Sequence, residues 1–363
     1  MADMPAYYRV QPYVLLSGRV DFTLSEHVLS AFVEETNDGL CRCEIVLENW
    51  QSDRADMNLL ENRQRLDFGM DVELRLGAAD DNSPAVFQGR VTALEVSFAV
   101  AKTPTLTVLA EDQLQSLRMT RRTRTFEEMS FNDIINRIAT EHSLTPTISG
   151  GTEARDSVSQ VNQSDLAFIR RLAGSFGAEV WVRGRELHVE PRKGDAGRPG
   201  SRELDIQFDH HLRAFTVRAD LAHQCTELLV TGWDVMGKTA IAETAGESVI
   251  SGELNDGISG PAILKEKFGE HKAQLVHTVP MDTAEARALA RAQFAERARR
   301  FVVGTGTLTA GDPRMVVGMV INLSGKLAPV FNGKYTVVRT RHTFDRENGF
   351  QTEFDVEGPA ISR

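Results

Sequence analysis

One short stretch of sequence occurs twice in this chain, about 250 residues apart, and such a repeat narrows the possible folds to those that use one unit two times. The first copy reads Gly69-Met70-Asp71-Val72-Glu73-Leu74, then a polar loop, then Val86-Phe87-Gln88-Gly89-Arg90-Val91-Thr92. The second reads Gly318-Met319-Val320, alternates through Ile321 and Leu323, and continues as Val330-Phe331-Asn332-Gly333-Lys334-Tyr335-Thr336, with a loop shorter by five residues. Each copy closes with an alternating strand, Thr105-Leu106-Thr107-Val108 and Gln351-Thr352-Glu353-Phe354. Alternation of this kind marks a half-buried β-strand, so the repeated unit is a β module. A chain with two copies presents, as a trimer, six similar modules around one axis.

The 363 residues suffice for two or three domains, each with its own core. With 41% hydrophobic and 25% charged residues the composition is that of an ordinary globular protein. No stretch approaches the length needed to span a bilayer, and Met1 to Val10 lacks a basic segment followed by an apolar run. Membrane insertion by this chain is therefore not expected, and assembly in the cytoplasm is. A formal net charge of −10 opposes a nucleic-acid coat, which needs clustered positive charge.

The local patterns divide the chain into three parts. Residues 1–118 are strand-like: Tyr13 to Leu16, Cys41 to Leu47, Val72 to Leu76, Phe87 to Phe98 and Leu106 to Ala110 are apolar or β-branched runs, separated by Asn-Asp-Gly and Asp-Asn-Ser-Pro turns. From 119 to 198 the period becomes helical. Ser130 with Asp133 reads as a helix start ahead of Phe131, Ile134, Ile135, Ile138 and Ala139. A second helix begins at Ser164-Asp165, turns Phe168, Ile169, Leu172 and Phe176 inward and stops at Gly177. A hairpin follows, turning at Arg183-Gly184, and Pro191 to Gly200 has linker composition. Residues 199–363 return to strands, with an irregular insertion expected at about 241–280 and an Ala/Arg-rich helix at about 283–300 capped by Asp282. The fold class is thus β-rich α+β, with two β-barrel domains flanking a small α+β domain. The candidate interface of the repeated modules is Gly69, Val72, Leu74, Phe87, Gly89 and Thr92 in the first copy, and Gly318, Ile321, Leu323, Phe331, Gly333 and Thr336 in the second. Unpaired strand edges in such modules can exchange main-chain hydrogen bonds with a neighbour.

Several segments carry a resemblance. The helix starting at Ser130, the run Asn162-Gln163-Ser164-Asp165-Leu166-Ala167-Phe168-Ile169-Arg170-Arg171-Leu172-Ala173 and the following Gly177 resemble the hub proteins of contractile injection devices. So do Gly232-Trp233-Asp234, Gly311-Asp312-Pro313 ahead of Gly318, and Asn332-Gly333-Lys334-Tyr335 followed by Arg341-His342-Thr343-Phe344. These hubs include the late control gene D proteins of contractile-tailed phages and the N-terminal hub portion of VgrG proteins of type VI secretion. The similarity covers most of the chain from about residue 120 and is weakest over the first hundred residues and over 241–280. It implies a homotrimeric baseplate hub, with tube-subunit-like barrels forming a pseudo-sixfold ring. Its partners would be a hexameric inner tube protein, a trimeric spike and baseplate wedge proteins, in a phage tail or related particle. In VgrG the spike is fused after the hub; this sequence ends at Arg363, just after the second copy, so a separate spike protein is expected. The hub of a type VI spike stands as an alternative.

Other candidates are chemical. Cys41 and Cys43 alternate on a strand, where two small apolar side chains are expected; no further ligands at metal spacing follow. His210-His211, with Asp209 and Cys225, does not make a nucleophile–base–orienter set by sequence alone, and a strand-end histidine pair is expected. His342, in an alternating strand, is expected to make a structural hydrogen bond. Arg118, Arg121, Arg122 and Arg124 are the dense basic run, either a contact for DNA or an acidic partner face, or a strand paired with local acids. Gly304-Thr305-Gly306 lacks the lysine of a phosphate loop and reads as turns. No catalytic residue, metal or cofactor is assigned. A tail-tip enzyme such as a peptidoglycan hydrolase is the alternative of a different class, and it would need paired carboxylates on a compact fold of their own.

Overall fold

The computed structural model describes residues 11–50, 65–77, 83–192, 198, 203–234, 237–276, 278, 280, 282–326 and 328–363. The expected linker from 191 to 200 lies outside these residues except for Pro191, Arg192 and Arg198, as does half of the Asp81-Asn82-Ser83-Pro84 turn.

Strands β1 (Gln11–Leu16), β2 (Arg19–Val20), β3 (Val28–Thr36), β4 (Arg42–Glu48), β5 (Asp71–Gly77), β6 (Ala85–Ser97) and β7 (Thr105–Glu111), with helix α1 (Phe22–His27), make the first β module. Alternation sends Cys43, Ile45 and Leu47 of β4 and Leu106, Val108 and Ala110 of β7 into one core.

The central part holds α2 (Leu114–Arg118), β8 (Arg121–Ser130), α3 (Phe131–Glu141), β9 (Thr145–Ile148), β10 (Ala154–Ser164), α4 (Asp165–Ser175), β11 (Ala178–Arg183) and β12 (Glu186–Pro191). Both helix starts are where the sequence puts them. The Ser130 hydroxyl accepts from the Asp133 amide at 3.1 Å, and the Asp133 side chain accepts in return from the Ser130 amide. Ser164 caps α4 by accepting from the Ala167 amide. The antiparallel pairing of β8 with β10, and of β9 parallel to β12, is added by the structure.

The last part contains β13 (Leu204–Gln207), β14 (Leu212–Ala219), β15 (Glu227–Asp234), β16 (Thr239–Gly246), β17 (Ile258–Ser259), α5 (Gly260–Phe268), β18 (Lys272–Leu275), α6 (Thr283–Arg299), β19 (Val302–Leu308), β20 (Val320–Ser324), β21 (Gly333–Asp345), β22 (Gly349–Gly358) and β23 (Ala360–Ile361). The stretch 241–280, expected to be irregular, instead carries β16, a 3-10 turn at Glu247–Glu253, α5 and β18. Its short elements are stabilised by tertiary packing rather than propensity: Ile241, Ala245 and Ile250 pack with Ala286, Ala290 and Phe294 of α6 in a core of their own.

The repeat is real at the level of single hydrogen bonds. The Gly69 amide donates to the Val91 carbonyl at 2.8 Å, and the Gly318 amide to the Val337 carbonyl at 2.8 Å. In return the Val91 amide donates to the Met70 carbonyl and the Val337 amide to the Met319 carbonyl. Both long strands carry a bulge at the next step, between Val91 and Ala93 in β6 and between Val337 and Arg339 in β21. Spatial order is shared too, β3-β4-β7-β6-β5 in one module and β14-β19-β22-β21-β20 in the other.

This geometry corrects the alignment read from the sequence. Val72 pairs with Gly89 and Ile321 with Tyr335, so Gly89 matches Tyr335 rather than Gly333, and Phe87 matches Gly333 rather than Phe331. The outer strands align as expected: Leu94 pairs with Val108 and Thr340 with Phe354. A slip of two residues keeps every side chain on its own face, so alternation alone does not detect it.

Candidate functional site

The two modules meet edge to edge. β3 offers its free side to the second half of β21, and the two pair antiparallel from Ser30 opposite Asp345 to Thr36 opposite Arg339. The sheet therefore runs through both modules, thirteen strands among the described residues. The bulge after Val337 lets one long strand serve two neighbours: its first half pairs with β20 and its second with β3.

Charge fixes this joint in register. Arg341 reaches Glu34 at 3.0 Å and Arg339 reaches it at 3.4 Å across the strands, while Arg339 also binds Asp355 at 2.7 Å. Burial works against the Glu34 carboxylate, but hydrogen bonds and charge from Arg341 and Arg42 more than offset it and hold the group below the usual carboxylate range. The Arg42 and Arg341 guanidiniums lie over the Phe32 ring at 5.3 and 5.5 Å. Beneath the strands, Phe344 and Phe350 of the second module are buried in the core of the first.

The central part is tied to the same place by arginines. Arg192 contacts Glu179 at 2.6 Å and Glu357 at 2.7 Å, and Arg198 contacts Glu179 at 3.0 Å and Glu35 at 3.5 Å. Burial would raise the Glu179 carboxyl, yet these two guanidiniums hold it down to about 2. Arg198 also stacks on Trp181 at 4.6 Å and donates its amide to the Gly318 carbonyl at 2.7 Å. Its anchoring role is invisible in a sequence stretch whose composition reads as linker.

The predicted interface residues fall mainly inside the modules. Val72, Leu74, Phe87, Ile321 and Leu323 are core side chains. Gly69 and Gly318, at φ +76 and +82, make the tight turns that enter β5 and β20. Gly89 is packed against the Glu111 backbone, and Thr92 stands at the bulge, its hydroxyl donating to the Leu109 carbonyl. Phe331 closes a 3-10 turn and accepts from the Tyr335 hydroxyl, Gly333 opens β21, and Thr336 is buried. Glu34, Arg339 and Arg341, which hold the joint between the two modules of one chain, alternate along their strands like any solvated charge.

The basic run is held by local acids. Arg118 pairs with Glu111 at 2.6 Å, Arg124 with Glu141 at 2.8 Å and Asp165 at 3.0 Å, and Arg122 with the same two acids at 3.4 and 3.3 Å; Arg121 donates to the Asn162 carbonyl. Burial alone would raise the Asp165 carboxyl, but hydrogen bonds from Gln160 and His142 and the charges of Arg124 and Arg122 keep it low. His342 is buried, bonded through Nδ1 to Thr352 and through Nε2 to the Met315 carbonyl, each at 3.0 Å. His211 accepts from the Gln207 amide, and Cys225 is a free buried thiol; Cys43 is buried and Cys41 half-buried. Among the described residues no group of three metal-binding side chains converges, and no helix is long and apolar enough to cross a membrane.

The model of the family described as Alg8 N-terminal domain matches residues 10–346. No curated protein matches the chain. Among solved structures, the 43 kDa tail protein of prophage MuSo2 from Shewanella oneidensis superposes with a TM-score of 0.70 at 10% identity, covering 98% of this chain and 100% of that one. The tail protein from Neisseria meningitidis MC58 gives 0.64 at 11% identity, covering 97% of each chain. The E. coli c3393 protein, described as a component of the type VI secretion system with structural similarity to T4 bacteriophage tail proteins gp27 and gp5, gives 0.55 at 14% identity over 95% of this chain and 76% of that one. At such identities the likeness is one of fold, and the fold is that of phage tail proteins and their type VI relatives.

Proposed function

The chain belongs to the family of the Alg8 N-terminal domain; from its paired β modules and the fold it shares with tail proteins, we propose that it is a structural hub of a contractile phage tail or phage-tail-like injection particle. In this reading three copies form a ring that matches a hexameric inner tube on one side and a trimeric spike on the other, with baseplate wedge proteins around it. One observation carries the proposal: two copies of one β module are joined edge to edge within a single chain. Three such chains supply six near-equivalent modules, the number a sixfold tube needs, while the differences between the copies retain threefold symmetry for a spike. The fold shared over nearly the whole length of a prophage tail protein and of a second tail protein supports the tail setting.

Electron microscopy of the assembled particle tests this. The expected density is three copies of the chain in one ring at the end of the tube, with the two modules alternating around it. A chain found elsewhere in the particle, or in another copy number, overturns the proposal.

A further inference from the structure

We propose that Asp112 is a proton-operated latch between the first β module and the central part, closed when its carboxyl carries a proton and loosened when the carboxyl is ionised. The inference goes beyond the hub proposal and does not rest on it.

Five carboxyl groups are buried among the described residues, and four of them face a basic side chain. Asp165 has Arg124 at 3.0 Å, Glu357 has Arg192 at 2.7 Å, Asp312 has Arg314 at 2.6 Å and Glu190 has His188 at 3.2 Å. Asp112 has no ion-pair partner among the described residues. Its two oxygens accept only main-chain amides, from Cys41 at 2.8 Å and from Leu114 at 3.0 Å. A buried charge without a counter-ion is costly, so of the five this acid has the most to gain from a proton.

The place of Asp112 in the fold gives that proton a mechanical effect. Cys41 lies in the loop between β3 and β4 of the first module, and Leu114 opens α2 of the central part, so one carboxyl holds the two together. The Asp112 amide donates back to the Cys41 carbonyl at 3.0 Å. The same loop is gripped twice more: Leu40 packs against the core of the central part, which includes Leu114 and Leu117, and Arg170 of α4 donates to the Gly39 carbonyl at 3.0 Å. Arg170 belongs to the run that carries the family resemblance, and this contact gives it a task.

The groups around Asp112 act in both directions. Burial is the largest influence and pushes its carboxyl up to about 7; the Glu35 charge on β3 adds to the rise, while the two amides and the Arg170 charge oppose it without cancelling it. Burial lifts Glu35 as well, against Arg198, the Val317 amide and Arg183. Asp38 acts on Arg170, and the Cys41 thiol is pushed well above its ordinary range and stays neutral. Once the loop lifts into water, the Asp112 carboxyl returns to its ordinary value near 3.8. The closed joint therefore holds a proton more tightly than the open one. Its extra stability is fully present below about pH 4 and is lost as pH rises to about 7.

Amide hydrogen exchange on the full chain reads the latch at its own hydrogen bonds. Protection factors of the Cys41, Asp112 and Leu114 amides should fall about tenfold per pH unit between pH 4 and 7 and level off above that range. Asp112→Asn keeps the shape of the neutral acid and cannot ionise, so in that variant the same protection factors should not change with pH. Arg170→Gln removes the opposing charge and should move the levelling-off point to higher pH, a shift that a purely structural contact would not give. In global unfolding, the folding constant of Asp112→Asn relative to the wild-type chain should rise about tenfold per pH unit over the same range. His342, which titrates in the opposite sense, is common to both chains and drops out of that ratio. Wild-type protection that does not fall with pH, or that falls equally in Asp112→Asn, overturns the latch and leaves the hub proposal standing.

Discussion

The first and second β modules share a backbone and differ in what surrounds it. Gly69 and Gly318 make the same turn and the same hydrogen bond, yet Gly69 faces open space while Gly318 lies under the Arg198 side chain. Val96 opposite Leu106 in the first module becomes His342 opposite Thr352 in the second, an apolar pair replaced by a buried polar one. The strand beyond also changes: β1 runs antiparallel to β5, but β13 runs parallel to β20. The unit is therefore defined by its main-chain ladder and its bulge. Side chains at matching positions are free to specialise, one turn glycine open and the other covered by Arg198.

Substitutions confined to one copy break this comparison most sharply. Arg198→Met strips Glu179 and Glu35 of a buried counter-ion and should destabilise the chain by about 4 kcal/mol in denaturant unfolding; among the described residues no side chain lies against the matching Gly69 turn. A smaller effect follows from His342. Burial pushes its pKa down to about 4, so the folded state keeps it neutral while the unfolded chain protonates near 6.5. Stability from this site is present above pH 6.5 and lost as pH falls toward 4, by about 3 kcal/mol in all. His342→Gln should flatten that part of the stability–pH curve, whatever its cost at neutral pH, and no substitution at Val96 should.

The turn glycines sharpen the same contrast. Gly69→Ala meets only the left-handed backbone and should cost about 1 kcal/mol, whereas Gly318→Ala must also displace Arg198 and should cost about 2–3 kcal/mol. Equal losses at the two sites would show that Arg198 does not clamp the second turn. Smallest of all, Glu34→Gln removes a partly exposed acid shared by Arg341, Arg339 and Arg42, and should cost about 1 kcal/mol while leaving the main-chain joint intact.

Much of this architecture was legible in the sequence because it is local. Ser130 and Ser164 announce their helices through short-range capping, and alternation announces the strands of both copies. The two-residue slip between Phe87 and Phe331 was not legible, because matching letters outweighed a register that only cross-strand pairing reveals. Nor was the β3–β21 joint: Glu34 and Arg341 lie some 300 residues apart and look like any exposed charges until the sheet brings them together. Of the candidate interface residues read from the repeat, Val72, Leu74, Phe87, Ile321 and Leu323 are core side chains of their modules. The edges where the two modules meet lie on β3 and the outer half of β21, strands whose exposed faces carry little sequence signal.

Native mass spectrometry of the full chain, alone and with the tube protein, tests the account most directly. A species of three chains is the predicted result. A chain that remains monomeric under both conditions would contradict it.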